Sequence, residues 1–138
     1  MSDRALRVAV GAVALAGLAV AGYLTYVHYR PEALVCTATG GCETVQQSEY
    51  ATLAGIPVAL LGLLAYATVL VLTIVDTALT RMLTAAIALS AAGFAAYLIV
   101  LQAFVIDAWC IWCLVNDVVI VPLLATLAVV RLRLADAD

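Results

Sequence analysis

Four cysteines, arranged as two pairs, are the residues of this sequence best suited to chemistry. Cys110 and Cys113 form a C-x-x-C motif, whereas Cys36 and Cys42 flank a short segment earlier in the chain. Two thiols at positions i and i+3 of a first helical turn can close a disulfide. The unpaired N–H groups and the positive dipole end of such a turn also stabilise a thiolate. We therefore predict redox chemistry at Cys110 and Cys113.

The earlier pair adds a second dithiol. Gly40 and Gly41, between Cys36 and Cys42, make the segment pliable, so that either sulfur could approach a partner and move away again. On its own, this pair fits a structural loop clip equally well, and the C-x-x-C also fits a fixed disulfide or half of a zinc site. Together the four thiols suffice to pass two electrons by successive thiol–disulfide exchange.

The composition places these thiols in a membrane protein. Of the 138 residues, 67% are apolar and 11% are charged, and the mean hydropathy is +1.20. A soluble domain is about half apolar and about a quarter charged. The formal charge of −3, with six arginines and no lysine, does not favour nucleic-acid binding.

Charged residues delimit the spans. Three intervals, Arg7–Arg30, Glu49–Asp76 and Arg81–Asp107, contain no internal charge, and each exceeds the length that a bilayer requires. A fourth apolar block contains Asn116 and Asp117. We predict an all-α integral membrane protein, a four-transmembrane-helix bundle forming one domain over residues 1–138. The predicted spans are about 6–29, 57–75, 82–105 and 108–130.

The arginines predict the orientation. With four spans, both termini share one side with the short turn between the second and third spans. That side carries five of the six arginines, namely Arg4, Arg7, Arg81, Arg131 and Arg133. By the positive-inside rule the termini are cytoplasmic. The long loop between the first two spans and the C-x-x-C then face the extracytoplasmic side of the plasma membrane, where disulfides persist.

Longer motifs give a specific resemblance. The stretch Cys42–Ala51 (CETVQQSEYA), the run Gly55–Gly62 (GIPVALLG) with Tyr66, and the C-x-x-C at the start of a later span make the chain resemble the vitamin K epoxide reductase family in its bacterial and archaeal form. The resemblance covers nearly the whole chain. It implies a four-helix bundle around a quinone, menaquinone (vitamin K) or ubiquinone, and a thioredoxin-fold protein that receives the disulfide. Since the chain ends at Asp138, we expect that partner to be a separate extracytoplasmic protein.

The resemblance also implies residue roles. Cys110 and Cys113 match the active-site pair, Cys36 and Cys42 the shuttle pair, and Ser48 the loop hydroxyl. In this scheme Cys113 faces the quinone, Cys42 exchanges with Cys110, and Cys36 reacts with the partner. From its residue type alone, Ser48 would be read as a helix cap.

Two polar residues within the fourth span suggest a quinone pocket. Asp117 lies four residues after Cys113 and shares its helix face, and Asn116 precedes it. A buried carboxylate is costly unless it faces a polar cavity or is protonated. We predict that both residues contact the quinone and that Asp117 handles protons, with an interhelical hydrogen bond as the alternative. Vertebrate members carry a tyrosine at this position and an asparagine near the second span, so the resemblance does not extend to epoxide reduction.

Two further residues are candidates for quinone contact. Trp112, inside the C-x-x-C turn, could stack on the ring, although tryptophan commonly marks the membrane interface. Gly62 could permit close approach of the quinone or of a helix, and plain small-residue packing is equally consistent.

The sequence therefore predicts a monomeric membrane thiol oxidase that generates disulfides and reduces a quinone. Two other classes remain open at this point. A structural zinc site built from four thiolates would serve a scaffold. A small transporter or assembly subunit with incidental disulfides would leave the cysteine spacing, Ser48 and the one-sided placement of the thiols unexplained.

Overall fold

The computed structural model describes residues 2–35 and 41–137, apart from the side chain of residue 137. Cys36 lies outside the described residues. The described helices are α1 (Asp3–Tyr29), α2 (Cys42–Gln46), α3 (Val58–Val75), α4 (Ala78–Val100), α5 (Ile111–Leu114) and α6 (Val121–Ala137). A hairpin pairs β1 (Thr52–Leu53) with β2 (Ile56–Pro57) in antiparallel register. Short 3₁₀ helices cover Pro31–Ala33 and Glu49–Ala51, and π-helical segments cover Leu101–Ile106 and Val115–Ile120.

Four helical stretches are long and apolar enough to cross a membrane: Asp3–Tyr29, Val58–Val75, Ala78–Ile106 and Ile111–Asp136. The third joins α4 to the π-helical segment that follows it. The fourth joins α5, the second π-helical segment and α6. The prediction of an all-α bundle with four membrane spans is confirmed.

Several predicted span boundaries require correction. The third span begins at Ala78 instead of Met82, because Thr77 and Thr80 form a reciprocal capping box at its start. Arg81 therefore lies in the first turn of a helix and not in the connecting turn. The fourth span begins at Ile111 instead of Ala108, with Cys110 as its N-cap.

The spans pack in a ring, in which α1 contacts α3 and α6, and α4 contacts the same two helices. Small side chains, including Ala14 and Ala88, are fully buried along the contacts, where they let the helix backbones approach closely. Gly17 has a specific steric role. A Cβ atom at this position would overlap the ring of Tyr66, so the glycine lets that tyrosine enter the bundle.

A cluster of charged side chains closes the end of the bundle opposite the C-x-x-C. The guanidinium of Arg131, only 4% exposed, donates to Asp3 at 3.1 Å and also to Asp76. Arg81 donates to Asp76 at 3.1 Å. Asp76 itself is the left-handed residue that ends α3. Hydrogen bonds from Arg81 and Arg131 hold the pKa of Asp76 below its ordinary value.

Arg7 completes this end of the bundle. Its guanidinium donates to the carbonyl oxygens of Thr73 at 2.9 Å and Ile74 at 2.8 Å. These carbonyls belong to the last turn of α3, where they have no partner within the helix. Three of the five arginines that predict the orientation, Arg7, Arg81 and Arg131, therefore also connect the ends of all four spans.

We expect Arg131→Met to lower the free energy of unfolding by about 2 kcal/mol, since it removes hydrogen bonds to two carboxylates. Thermal unfolding in detergent measures this. The matched control is Arg133→Met, because Arg133 lies on the same helix but is exposed.

The contribution of Asp76 also has a defined pH dependence. Because its pKa is lowered in the folded state, its stabilisation is present above the ordinary carboxyl range and is lost as the pH falls through the lowered value. Asp76→Asn should flatten this acid limb. Equal stability of the wild type and Arg131→Met at neutral pH would contradict the stabilising role assigned to the Arg131 hydrogen bonds.

Candidate active site

The C-x-x-C lies in a tight turn between the third and fourth spans. The third span ends at Ile106, and the next residue, Asp107, caps it in a left-handed conformation with φ of 56°. Cys110 then caps α5, and its sulfur accepts a hydrogen bond from the backbone N–H of Cys113 at 3.4 Å. Cys110 is fully buried and Cys113 is partly exposed, and both are free thiols.

Gln102 holds this turn in place from the third span. Its Oε1 atom accepts the backbone N–H of Cys110 at 2.9 Å, and its carbonyl oxygen accepts that of Ala108 at 3.2 Å. The side chain is only 2% exposed. The sequence alone assigned Gln102 no role. Its signal in the sequence is an amide side chain within an interval free of charge.

The loop between the first two spans seats α2 against the same turn. A Cβ atom at Gly41 would lie 2.6 Å from the carbonyl oxygen of Trp109 and 2.8 Å from its nitrogen, so only glycine permits this approach. Cys42 is consequently buried in one cluster with Val45 and Cys110, so the structure brings Cys42 and Cys110 together. Cys42 is disulfide-bonded, whereas Cys110 is a free thiol.

The end of α2 approaches the thiols as well. Gln46 donates from Nε2 to the sulfur of Cys113 at 3.2 Å and to that of Cys110 at 3.8 Å. Although Gln46 belongs to the motif behind the family resemblance, the sequence alone assigned it no role. Its contact with the thiols depends on how the loop docks, which local sequence does not encode.

A cavity of about 560 Å³ lies inside the bundle beneath the turn. Its wall comes from all four spans and from the loop, and it is predominantly apolar. The polar side chains on the wall are Gln46, Ser48, Tyr50, Tyr66, Ser90, Gln102, Asn116 and Asp117, together with the thiol of Cys113. Both the size and this lining are typical of a small-molecule site.

Three polar side chains form a connected network on this wall. The hydroxyl of Tyr66 donates to Oδ1 of Asn116, and Nδ2 of Asn116 donates to Oδ1 of Asp117 at 3.0 Å. Asp117 is 3% exposed. Within residues 2–35 and 41–137, its Oδ2 atom has no hydrogen-bond partner. A buried polar atom left without a partner is uncommon in folded proteins.

Five of the predicted site residues lie on the cavity wall: Cys113, Ser48, Gly62, Asn116 and Asp117. The Ser48 hydroxyl donates to the carbonyl oxygen of Val45 at 2.8 Å. Ser48 precedes the 3₁₀ helix Glu49–Ala51 without a side-chain capping bond. Close helix packing does not require Gly62, since a Cβ atom there would meet only Ala21, at an ordinary 3.8 Å.

Trp112 is not on the wall of the cavity. Its Nε1 donates to the carbonyl oxygen of Val35 at 2.6 Å, and its ring packs against Tyr23 with centroids 5.1 Å apart. The side chains of adjacent helical residues point about 100° apart, so Trp112 faces the loop, whereas Cys113 faces the cavity. This placement does not support the expected stacking of Trp112 on a quinone.

The turn activates one of its two thiols. A hydrogen bond from the thiol of Cys113, helped by backbone N–H groups and by Gln46, lowers the pKa of Cys110 to about 6 against the opposing effect of burial. Cys110 is therefore the thiolate of the pair at neutral pH. A thiolate is the reactive form in disulfide exchange, and one of low pKa is also a good leaving group.

A C-x-x-C that reaches a largely apolar cavity inside a four-span bundle is the site of a membrane oxidoreductase. The chain matches the model of the Vitamin K epoxide reductase family over residues 8–128 and belongs to that family. Membership supports disulfide and quinone oxidoreductase activity in general. Among the curated proteins, none matches the chain significantly.

We expect the ultraviolet thiolate absorbance of the protein to rise with a midpoint near pH 6, because Cys110 ionises there. Cys113→Ala removes the donating thiol and should move the midpoint up towards the ordinary cysteine value of about 8.5. In Cys110→Ala the step near pH 6 should vanish. Its persistence in that variant would assign the thiolate to another residue.

Proposed function

We propose that the protein is a quinone-dependent thiol oxidase. Two electrons enter from an extracytoplasmic thioredoxin-fold protein through Cys36 and Cys42, pass to Cys110 and Cys113, and leave to a membrane quinone. The observation that carries this proposal is the position of the turn. It places Cys110 against Cys42 on one side and Cys113 on the wall of an apolar cavity on the other.

The exchange step can be written with its bonds balanced. The thiolate of Cys42 attacks the sulfur of Cys110 in an oxidised C-x-x-C. A Cys42–Cys110 bond forms, the Cys110–Cys113 bond breaks, and the electron pair leaves on Cys113. Cys36 then attacks Cys42, closing the loop disulfide and releasing Cys110 as a thiolate of low pKa.

The redox state of the described thiols fits this sequence of steps. Cys42 is disulfide-bonded, while Cys110 and Cys113 are free. This is the state expected after the electrons have reached the C-x-x-C and before they leave it. Cys113 then holds the electrons at the cavity wall.

The cavity fits a quinone ring on physical grounds. About 560 Å³ of mostly apolar space accepts the ring, and the polar wall offers partners for its oxygens. When bound, a quinone supplies an acceptor for two electrons and two protons. Asn116 and Asp117 would hold it, and the unpartnered Oδ2 of Asp117 would carry or release a proton there.

We further propose that the cysteines face the extracytoplasmic side, with both termini in the cytoplasm. The positive-inside rule supports this orientation, because Arg7, Arg81 and Arg131 cluster at the end of the bundle opposite the C-x-x-C. In the part of the chain that the structure describes, no group of three or more His, Cys, Asp or Glu side chains could hold a metal.

The order of electron transfer gives the central test. Cys113→Ala should trap a Cys42–Cys110 disulfide, because the thiol that completes the C-x-x-C is missing. Cys36→Ala should abolish oxidation of a reduced thioredoxin-fold protein but spare quinone reduction by a small permeant dithiol. The measurement is quinone absorbance after anaerobic mixing with menaquinone or ubiquinone analogues.

The same assay in vesicles tests the orientation, since a protein substrate cannot cross the bilayer. Right-side-out vesicles should oxidise the added thioredoxin-fold protein, and inverted vesicles should not. The reverse result would overturn the orientation. Equal loss of both activities in Cys36→Ala would argue against a shuttle role for Cys36.

We expect Asp117→Asn and Asp117→Leu to lower quinone turnover by about a hundredfold, the usual contribution of a general acid, and to change its pH dependence while all disulfides still form. The control is Asp107→Asn, which alters an exposed aspartate outside the cavity. If Asp117 serves only as an interhelical hydrogen-bond acceptor, the Asn variant should be nearly silent and the Leu variant less stable. A fully active, stable Asp117→Leu would remove this residue from the site.

A further inference from the structure

One face of α2 presents two groups to the C-x-x-C. Cys42 and Gln46 are four residues apart, so their side chains lie on the same side of the helix. Cys42 packs in the cluster that contains Cys110, and Nε2 of Gln46 lies 3.2 Å from the sulfur of Cys113. The attacking sulfur of the exchange and an amide donor to the departing sulfur are therefore carried by one short helix.

Cys113 needs such a donor. The sulfur of Cys110 accepts a hydrogen bond from the backbone N–H of Cys113. Among the described residues, Gln46 is the one whose amide donates a hydrogen bond to the sulfur of Cys113. Because Cys113 borders a mostly apolar cavity, a thiolate formed there is poorly solvated. Hydrogen bonds to a charged acceptor are stronger than neutral ones, the more so in a medium of low dielectric.

We propose that Gln46 is a catalytic residue of the exchange step, donating its Nε2–H to the sulfur of Cys113 as that sulfur leaves with the electron pair. This rests on the proposed function, because it presumes that Cys42 attacks Cys110. The bond that forms is Cys42–Cys110, and the bond that breaks is Cys110–Cys113. No proton moves from Gln46, whose amide only stabilises the developing charge.

A merely structural role makes different predictions. If Gln46 only fastens α2 to the turn, its loss should lower thermal stability and impair every reaction of the loop alike. If it stabilises the leaving sulfur, its loss should slow the opening of the C-x-x-C disulfide alone. The neighbouring Gln47 provides a matched control, since it is exposed and its amide contacts Glu43 at 3.5 Å.

The experiment uses the full chain with both disulfides oxidised and no quinone or protein partner. A small dithiol is added, and acid-quenched samples are alkylated and analysed by mass spectrometry. This gives separate rates for reduction of the loop disulfide and for opening of Cys110–Cys113. We expect Gln46→Leu to slow the second rate about tenfold, with the first rate and the thermal unfolding unchanged.

Two further variants keep the test decisive. Gln46→Glu preserves the size of the side chain but replaces the donor with an anionic acceptor, so it should slow the opening more than Leu does. Gln47→Leu should match the wild type in both rates. Equal opening rates in Gln46→Leu, Gln46→Glu and wild type would overturn the proposal, as would equal slowing of both steps.

Failure of this proposal is distinguishable from failure of the proposed function. If the Gln46→Leu variant oxidises its protein substrate and reduces quinone normally, the proposed function stands and the role of Gln46 is wrong. If the wild type reduces no quinone, but Gln46→Leu still slows the opening of the C-x-x-C disulfide, the role of Gln46 stands and the quinone step is wrong.

Discussion

The close approach of Gly41 to the backbone of Trp109 is the contact on which the rest of the site depends. A side chain at position 41 would collide with that backbone, and α2 would have to move away from the turn. Cys42 would then leave Cys110, and Gln46 would leave Cys113. The turn is held from its other side by Gln102, which binds the N–H of Cys110. Two segments far apart in sequence thus form one site through backbone contact, and side chains then provide its chemistry.

The carboxylates of Asp76 and Asp117 differ in how completely they are hydrogen-bonded. At the end opposite the cysteines, Asp76 is fully satisfied by arginines, and the cluster fixes the helix ends. Inside the bundle, Tyr66 donates to Asn116 and Asn116 donates to one carboxylate oxygen of Asp117, but the other carboxylate oxygen remains unpartnered in the described structure. Desolvation makes such an atom costly. The contrast between this end and the interior is consistent with the role in ligand or proton binding proposed for Asp117.

Much of the fold could be predicted from the sequence, because a bilayer imposes long charge-free helices and arginines mark their ends. The boundaries were less accurate, since the third span begins at Ala78 with Thr77 as its N-cap, in a capping box that hydropathy does not reveal. In the site, the spacing of the cysteines and the face shared by Cys113 and Asp117 follow from helical periodicity. Trp112 does not lie on the cavity wall, because the residue next to Cys113 in a helix points to a different face. The contact of Gln46 with the thiols could not be predicted, because it depends on where the loop docks, which no local sequence pattern specifies.

The two π-helical segments explain how an apolar pair of spans presents polar groups at one place. One segment, Leu101–Ile106, contains Gln102, and the other, Val115–Ile120, contains Asn116 and Asp117. Each begins or ends within a few residues of the C-x-x-C. A π turn bonds residues five apart and is energetically unfavourable, so it commonly occurs where function requires it. Here the wider turns lie in the spans before and after the thiol pair, and all three polar side chains reach the cavity wall. The irregular backbone is therefore confined to the part of each span that borders the site, which is where a membrane protein can accommodate it.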